Sequence, residues 1–105
     1  MSVSTHVLDS VVGRPAAGIA VRLFAGEELI AESVTDHDGR SRLTEDATAL
    51  GVHRLVFATG QWFAEQGRDA FYPEVVLTFS VAEPGEHHHV PLLLSPFAYS
   101  TYRGS

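Results

Sequence analysis

Apolar and polar positions alternate with a period of two in several short segments of this chain. The alternation is clear over residues 17–24, 29–35 and 52–58, and residues 75–81 are rich in β-branched and aromatic side chains. Residues 2–8 also suit an extended segment, and residues 90–94 suit a strand buried on at least one face. Because successive strand residues point to opposite faces, this period predicts strands. About seven or eight short strands at roughly ten-residue spacing are typical of an all-β sandwich.

A tight turn is predicted where the sequence DHDG, residues 36–39, precedes Arg40. Gly39 supplies the positive φ that such turns often need. The two flanking strands then form either an antiparallel hairpin or a corner between two sheets. In both arrangements the Arg40 guanidinium is held at the mouth of the turn.

One short helix is predicted over residues 59–67. Thr59 could cap its first turn, Trp62 and Phe63 could pack inward, and Gly67 stands where a left-handed residue commonly ends a helix. A helix of about two turns needs packing to be stable. Residues 44–51 are small and polar, which predicts a connecting loop that could hold a helical turn.

Length and composition indicate one folded domain over residues 1–105, with 45% hydrophobic and 19% charged residues. The net charge of −6 argues against a nucleic-acid partner, because neutralising phosphates requires a basic face. The absence of cysteine excludes disulfides, thiolate metal ligands and cysteine nucleophiles. No apolar run approaches the roughly 20 residues that span a bilayer, and the first residues lack a signal-peptide pattern. We therefore expect a cytoplasmic protein without a membrane partner.

The most distinctive stretch is HHHVPLLLSPFAYSTYRGS, residues 87–105. On a strand, His87 and His89 share one face while His88 and Val90 share the other. Two imidazoles on one face could form half of a zinc site, with His6 or Asp36 as a third ligand. A solvated turn flank is the more common role for such histidines, so a metal site is the weaker interpretation.

The residues that could carry chemistry are histidines and arginines, since no nucleophile motif and no glycine-rich phosphate loop is present. An imidazole can take a proton from water while another returns one, and arginine offers fixed donors to developing negative charge. Each such residue alone is more often a solvated surface group. The set suits hydrolysis of an activated amide in a small, planar, oxygen-rich substrate.

Four motifs, in order, resemble those of the transthyretin-related 5-hydroxyisourate hydrolases. They are STHVLD with GRPA at residues 4–9 and 13–16, TDHDGR at 35–40, FYPEV at 71–75 and the ending HVPLLLSPFAYSTYRGS at 89–105. Asp36 stands where the family usually has asparagine, and His88 stands where it has tyrosine. Neither departure removes a group that the family uses in catalysis.

The resemblance implies a transthyretin-like β-sandwich of two four-stranded sheets with one short helix. It also implies a homotetramer with active sites between dimers, and hydrolysis of 5-hydroxyisourate to 2-oxo-4-hydroxy-4-carboxy-5-ureidoimidazoline. The family's catalytic residues fall on His6, Arg40, His89 and Ser105. Its terminal tetrapeptide implies that Tyr102, Arg103 and Gly104 contact or frame the substrate. No cofactor and no metal is implied, and His87 would have at most an outer role.

Three other functions compete with hydrolysis. A transthyretin-like carrier would bind a small ligand in a channel without turning it over. A metal-binding protein would use His87 and His89 with His6, and a structural domain would do neither. The hydrolase is favoured because the histidine and arginine set and the Tyr-Arg-Gly-Ser ending, which transthyretin lacks, are all present.

Overall fold

The computed structural model describes residues 2–44, 50–83 and 85–105. Within these ranges it contains nine strands and one helix. The strands are β1 (Ser2–Asp9), β2 (Arg14–Pro15), β3 (Ala20–Ala25), β4 (Glu28–Val34), β5 (Arg40–Thr44), β6 (Gly51–Phe57), β7 (Val75–Val81), β8 (His87–Leu94) and β9 (Tyr99–Thr101). The helix is α1 (Thr59–Ala64), between β6 and β7. The predicted all-β sandwich with one short helix is confirmed.

The two sheets differ in one respect from the expected pair of four-stranded sheets. One sheet has the order β4-β3-β6-β7, whereas the other contains five strands: β2, β1, β8 and β9 in a row, with β5 also paired to β1. The extra strand arises because β2 and β5 share one edge of β1. The two-residue β2 pairs with Leu8 and Asp9, and β5 pairs with residues 3–6.

The other edge of β1 pairs with β8, and this pair is parallel. The strands near the two ends of the chain are therefore neighbours, with Ser4 opposite His89 and Thr5 opposite Val90. The remaining pairings between the described strands are antiparallel. This parallel pair places residues from both ends of the sequence on one surface.

The turn before β5 is a corner between the sheets, because β4 belongs to one sheet and β5 to the other. Asp36 Oδ1 accepts hydrogen bonds from the backbone N–H groups of Asp38 and Arg40, each at 2.9 Å. Gly39 has a φ of 75°, as the turn prediction required. The hairpin alternative is thereby excluded, and Arg40 begins a strand of the sheet that contains β1.

The core lies between the sheets and is built from the inward face of each strand. In β1 the side chains of Val3 and Val7 are fully buried, while the alternate residues Ser2, Ser4 and His6 are partly exposed on the outer face. The fully buried residues of largest volume include Phe57, Phe63, Ile19, Leu23, Leu55, Leu92 and Leu94. Burial of these apolar side chains holds the sheets together at roughly 25 cal/mol per Å² of apolar surface removed from water.

Helix α1 packs on the sandwich through Phe63, which is 1% exposed, while Trp62 is partly buried and its indole N–H donates to the Ala17 carbonyl at 2.8 Å. The prediction that Thr59 caps the helix is wrong. The N-cap residue is Ala58, which makes no side-chain bond, and the Thr59 hydroxyl is buried without a partner. The chain enters the helix directly from β6, since the Ala58 N–H donates to Ala20 in β3.

The other predictions about connections have mixed outcomes. Gly67 has a φ of 67°, as expected for the residue that ends the helical region. The suggested helical turn in the loop before β6 falls mainly on residues 45–49, which lie outside the described ranges. The part of the chain that the structure describes contains no helix with the length and apolar character needed to cross a membrane.

Candidate active site

Three neighbouring strands place polar side chains on the outer face of the five-stranded sheet. His6 of β1 lies opposite Arg40 of β5, and Ser4 lies between Arg42 of β5 and His89 of β8. Residues directly paired across strands project to the same face. The outward-facing polar residues of the three strands therefore form one continuous polar patch.

This patch contains a cavity of about 270 Å³. Its lining residues are Ser4, Thr5, Arg40, Ser41, Arg42, His87, His89 and Ser105. Three of the four residues predicted to be catalytic, Arg40, His89 and Ser105, therefore line one cavity. The cavity is at the small end of the roughly 300–1,000 Å³ typical of ligand sites, which suits a small substrate.

His6 lies beside the cavity and is not among its lining residues. It is partly buried on the same face, directly opposite Arg40 in the strand register. Its charge is close enough to lower the pKa of His89. The structure thus brings His6 to the edge of the site and leaves the centre to Arg40 and His89.

The pKa of His89 lies below its ordinary value of 6.5. The largest cause is burial of the ring, and the charges of His87, Arg40 and His6 lower the pKa further. Each cause disfavours the protonated form and so favours the neutral imidazole. A neutral imidazole is the form that can take a proton from water.

The end of the chain folds back onto His89. The Gly104 N–H donates a hydrogen bond to the His89 carbonyl at 2.9 Å and forms an isolated bridge with it. A Cβ atom at position 104 would lie 2.6 Å from Cδ2 of the His89 ring. Only glycine allows this close approach, which delivers Ser105 to the cavity.

Tyr102 and Arg103 are not among the lining residues of this cavity. They line a second hollow of about 390 Å³ between β7 and the chain end, whose lining also includes Phe79, His88 and His89, so the two hollows share His89. Arg103 forms an ion pair with Glu86 on the surface. In the single chain the ion pair of Arg103 therefore ties down the terminal segment, and the Gly104 N–H bonds directly to the cavity residue His89.

Sequence reasoning gave His87 an outer role at most and did not consider Ser4. The structure places both in the cavity lining. Ser4 Oγ lies 2.8 Å from Nδ1 of His89 and 3.3 Å from Nε2 of His87, and the two rings stack with centroids 6.3 Å apart. The available signal was the matching period of two: serine at 2 and 4, histidine at 87 and 89.

The zinc alternative finds little support in the geometry. Among the described residues, the group whose ligand atoms approach within 4.8 Å of one another is Asp36, His37 and Asp38 on the exposed corner turn. His6, His87 and His89 do not form such a group. His88 faces the other way, as predicted, and is 6% exposed beside Phe79 at a ring distance of 6.0 Å.

Comparison with known proteins identifies the family of this chain. Residues 3–104 match the model of the HIUase/Transthyretin family. The chain belongs to this family. Among its HIUase/Transthyretin relatives, a 5-hydroxyisourate hydrolase of Pseudomonas aeruginosa is 45% identical, in an alignment covering 97% of this chain and 90% of the relative. The resemblance read from the four sequence motifs is confirmed.

Solved structures of the HIUase/Transthyretin family show the same fold. The structure of Klebsiella pneumoniae 5-hydroxyisourate hydrolase matches with a TM-score of 0.92 and 37% identity, over 100% of both chains. Sea bream transthyretin in complex with thyroxine matches with a TM-score of 0.84 and 32% identity, over 97% of this chain and 93% of that one. The transthyretin-like sandwich therefore serves both a hydrolase and a thyroxine-binding protein in this family.

Proposed function

We propose that this protein is an enzyme that hydrolyses 5-hydroxyisourate to 2-oxo-4-hydroxy-4-carboxy-5-ureidoimidazoline. The observation that carries the proposal is the cavity that joins Arg40, His89 and Ser105, from three separate parts of the chain. Its lining is polar and cationic, which suits an oxygen-rich substrate. The 45% identity to a protein named as this hydrolase supports the same assignment.

His89 acts as the general base in this proposal. Its lowered pKa keeps the imidazole neutral, and Ser4 occupies Nδ1, which leaves Nε2 for the attacking water. Water adds to the ring carbonyl carbon as its proton passes to Nε2, and the ring C–N bond then breaks. The proton returns to the leaving nitrogen, with His6 at the edge of the site assisting the orientation of water.

Arg40 stabilises the negative charge that develops on the carbonyl oxygen. The corner turn fixes where this guanidinium emerges, because the Arg40 N–H is bonded to Asp36 Oδ1 at 2.9 Å. Donors that are fixed before the reaction stabilise an oxyanion without having to reorganise. Ser105, which also lines the cavity, contributes a hydroxyl to substrate or water.

The terminal residues frame the substrate rather than react with it. Gly104 holds the segment against His89, and the ion pair of Arg103 with Glu86 fixes its other end. Tyr102 is exposed in the single chain, so its contact with substrate requires a neighbouring subunit. We propose a homotetramer in which the open side of the cavity meets another copy at a dimer–dimer interface.

The proposal is tested by following the ultraviolet decay of freshly generated 5-hydroxyisourate with purified protein. We expect wild type to accelerate decay, and His89→Ala and Arg40→Ala to lose most of that acceleration while chelator has no effect. Two matched controls, His37→Ala on the exposed turn and Arg22→Ala on the other sheet, should behave as wild type. A folded wild-type protein that leaves the decay unchanged would contradict the proposal.

A small-ligand carrier is the second candidate, because sea bream transthyretin with thyroxine shares the fold at 32% identity. One experiment distinguishes a hydrolase from a carrier. A carrier would bind an aromatic ligand with a stoichiometry set by the assembly and would show no turnover. Calorimetry with thyroxine beside the decay measurement distinguishes them, and light scattering on the same sample measures the assembly.

A further inference from the structure

Two serines of β1 and two histidines of β8 alternate along one hydrogen-bonded line. Ser2 Oγ bonds to Nδ1 of His87, Nε2 of His87 lies 3.3 Å from Ser4 Oγ, and Ser4 Oγ lies 2.8 Å from Nδ1 of His89. The parallel register sets Ser2 opposite His87 and Ser4 opposite His89. The line therefore follows from the same two-residue repeat in two adjacent strands.

Every group on this line can both donate and accept a hydrogen bond. A hydroxyl has one hydrogen and two lone pairs, and a neutral imidazole has one N–H and one bare nitrogen. The hydrogens of Ser4 and the two rings can therefore all move by one bond in the same direction. If Nε2 of His89 gains a proton from water, such a move takes the hydrogen from Nδ1, so the protonated nitrogen of His89 changes without moving any heavy atom.

The two ends of the line differ in their surroundings. His87 is exposed, whereas His89 is partly buried. The titratable and charged groups around His89 are His6 on β1, Arg40 and Arg42 on β5, and His87 on β8. A positive charge on His89 would be partly buried and near Arg40 and His6, whereas the same charge on His87 would be exposed to water.

We propose that Ser4 is a positioning residue that links His89 to His87 as a proton relay, with His87 storing the proton that His89 removes from water. This inference rests on the proposed hydrolysis at the same cavity. It gives His87 a direct part in proton transfer, in place of the outer role that the sequence suggested.

In the resting state, Nδ1 of His89 carries the ring hydrogen and Nε2 is free to accept a proton. Water gives its proton to Nε2 of His89 and its hydroxide to the carbonyl carbon. His89 then passes its Nδ1 hydrogen to Ser4, and Ser4 passes its own hydrogen to Nε2 of His87, which becomes imidazolium. His89 is left neutral with hydrogen on Nε2. As this hydrogen passes to the leaving nitrogen, the hydrogens of His87 and Ser4 return along the line in the same step, so Nδ1 of His89 is reprotonated and the ring stays neutral.

The test compares Ser4→Ala, Ser4→Thr and His87→Gln with wild type, and uses Ser33→Ala on β4 as the control for loss of a strand hydroxyl. We expect Ser4→Ala and His87→Gln to lower kcat by about tenfold or more, within the range of acid–base effects, with KM changed much less. Ser4→Thr, which keeps the hydroxyl, should restore most of kcat. Ser33→Ala should match wild type.

A second measurement needs no substrate. Nitrogen-15 NMR of the imidazole rings reports which nitrogen of His89 carries hydrogen. We expect the Nδ1–H form to be enriched in wild type and Ser4→Thr, and to revert in Ser4→Ala toward the Nε2–H form. An unchanged His89 tautomer and an unchanged pH profile of kcat in Ser4→Ala would overturn the relay.

The two measurements also separate this inference from the proposed function. A wild type without hydrolysis whose His89 tautomer still depends on Ser4 overturns the hydrolase and supports the positioning by Ser4. Hydrolysis that is lost in His89→Ala but unaffected by Ser4→Ala overturns the relay and supports the hydrolase. If hydrolysis does not depend on His89 and the His89 tautomer does not depend on Ser4, the hydrolase and the relay are both overturned.

Discussion

Arg68 Nη1 donates a hydrogen bond of 2.7 Å to Oδ2 of Asp9, joining residues 59 positions apart in the chain. Asp9 ends β1 and is 2% exposed, and the Arg68 guanidinium lies 4.8 Å from the centre of the Phe63 ring. The pair connects β1 to the segment after α1. It is a structural ion pair, since neither residue lines the candidate active site.

Replacing Asp9 with asparagine should destabilise the protein by about 2 kcal/mol at pH 7, the range for a hydrogen bond to a charged group. Burial raises the pKa of Asp9, but Arg68 and the backbone N–H groups of Val11 and Val12 outweigh it and lower the pKa below 3.8. A depressed carboxyl pKa stabilises the fold above the unfolded value and ceases to do so as the pH falls through the folded value.

The measurement is urea unfolding of wild type and Asp9→Asn at pH 7 and near pH 3, with exposed Asp69→Asn as the control. The difference between wild type and Asp9→Asn should shrink at the lower pH, while Asp69→Asn should follow wild type at both. A difference that stays constant between the two pH values would contradict the charged pair.

On the acid side of the pH profile, the midpoint of the fall in kcat/KM should lie below pH 6.5. The pKa of His89 is lowered, so its neutral form persists at pH values where an ordinary histidine is already protonated. Arg40 is one of the causes, so Arg40→Gln should raise the pKa of His89 toward 6.5. Proton NMR titration of the His89 ring tests this in both proteins, and Arg22→Gln should leave the titration unchanged.

Replacing Gly104 with alanine should lower kcat/KM strongly while changing the free energy of unfolding by about 1 kcal/mol or less, because position 104 is only partly buried and lies outside the core. The added methyl group would meet the His89 ring at 2.6 Å and the His89 carbonyl oxygen at 3.1 Å. Either the base or the terminal segment must move. Ser100→Ala in the preceding strand is the control, and equal activity of Gly104→Ala and wild type would show that this close approach has no catalytic role.

Two glycines with similar backbone angles provide a matched pair for stability. Gly39 has a φ of 75° and Gly13 a φ of 70°, but a Cβ at Gly39 would collide with the Val7 carbonyl oxygen, while at Gly13 nothing lies within 4 Å. Gly13→Ala should cost about 1 kcal/mol, from the left-handed angle alone. Gly39→Ala should cost clearly more, and thermal unfolding of both variants measures the difference.

The alternation of apolar and polar residues predicted the strands well, because side-chain burial alternates along a strand wherever one sheet face packs on the core. The predicted strand at residues 75–81 coincides with β7, and the opposite directions of His88 and His89 follow from the period of two. The same period cannot specify which strands are neighbours. The parallel pairing of β1 with β8, and hence the approach of Ser4 to His89, depends on tertiary packing.

The candidate site was likewise predictable from the sequence only in part. Arg40, His89 and Ser105 were found through the family motifs, whereas Ser4 and His87 became visible only when the register of two distant strands was known. The capping prediction for Thr59 failed for a related reason. Residue preferences at helix ends describe a free first turn, and here the preceding strand fixes the chain before the turn begins.

The pairing of β1 with β8 also governs the order in which the molecule can be made. Ser4 and His89 are 85 positions apart, so the contact forms only after a long loop of chain has closed. Local hairpins such as β3 with β4 and β6 with β7 can form much earlier. During synthesis β1 emerges before β8, and the edge of β1 that pairs with β8 stays unpaired until residues 87–94 have been made. A nascent chain that stops before residue 87 would contain the sequence of β1 to β7 but would lack His89 and Ser105, so the candidate site could not form.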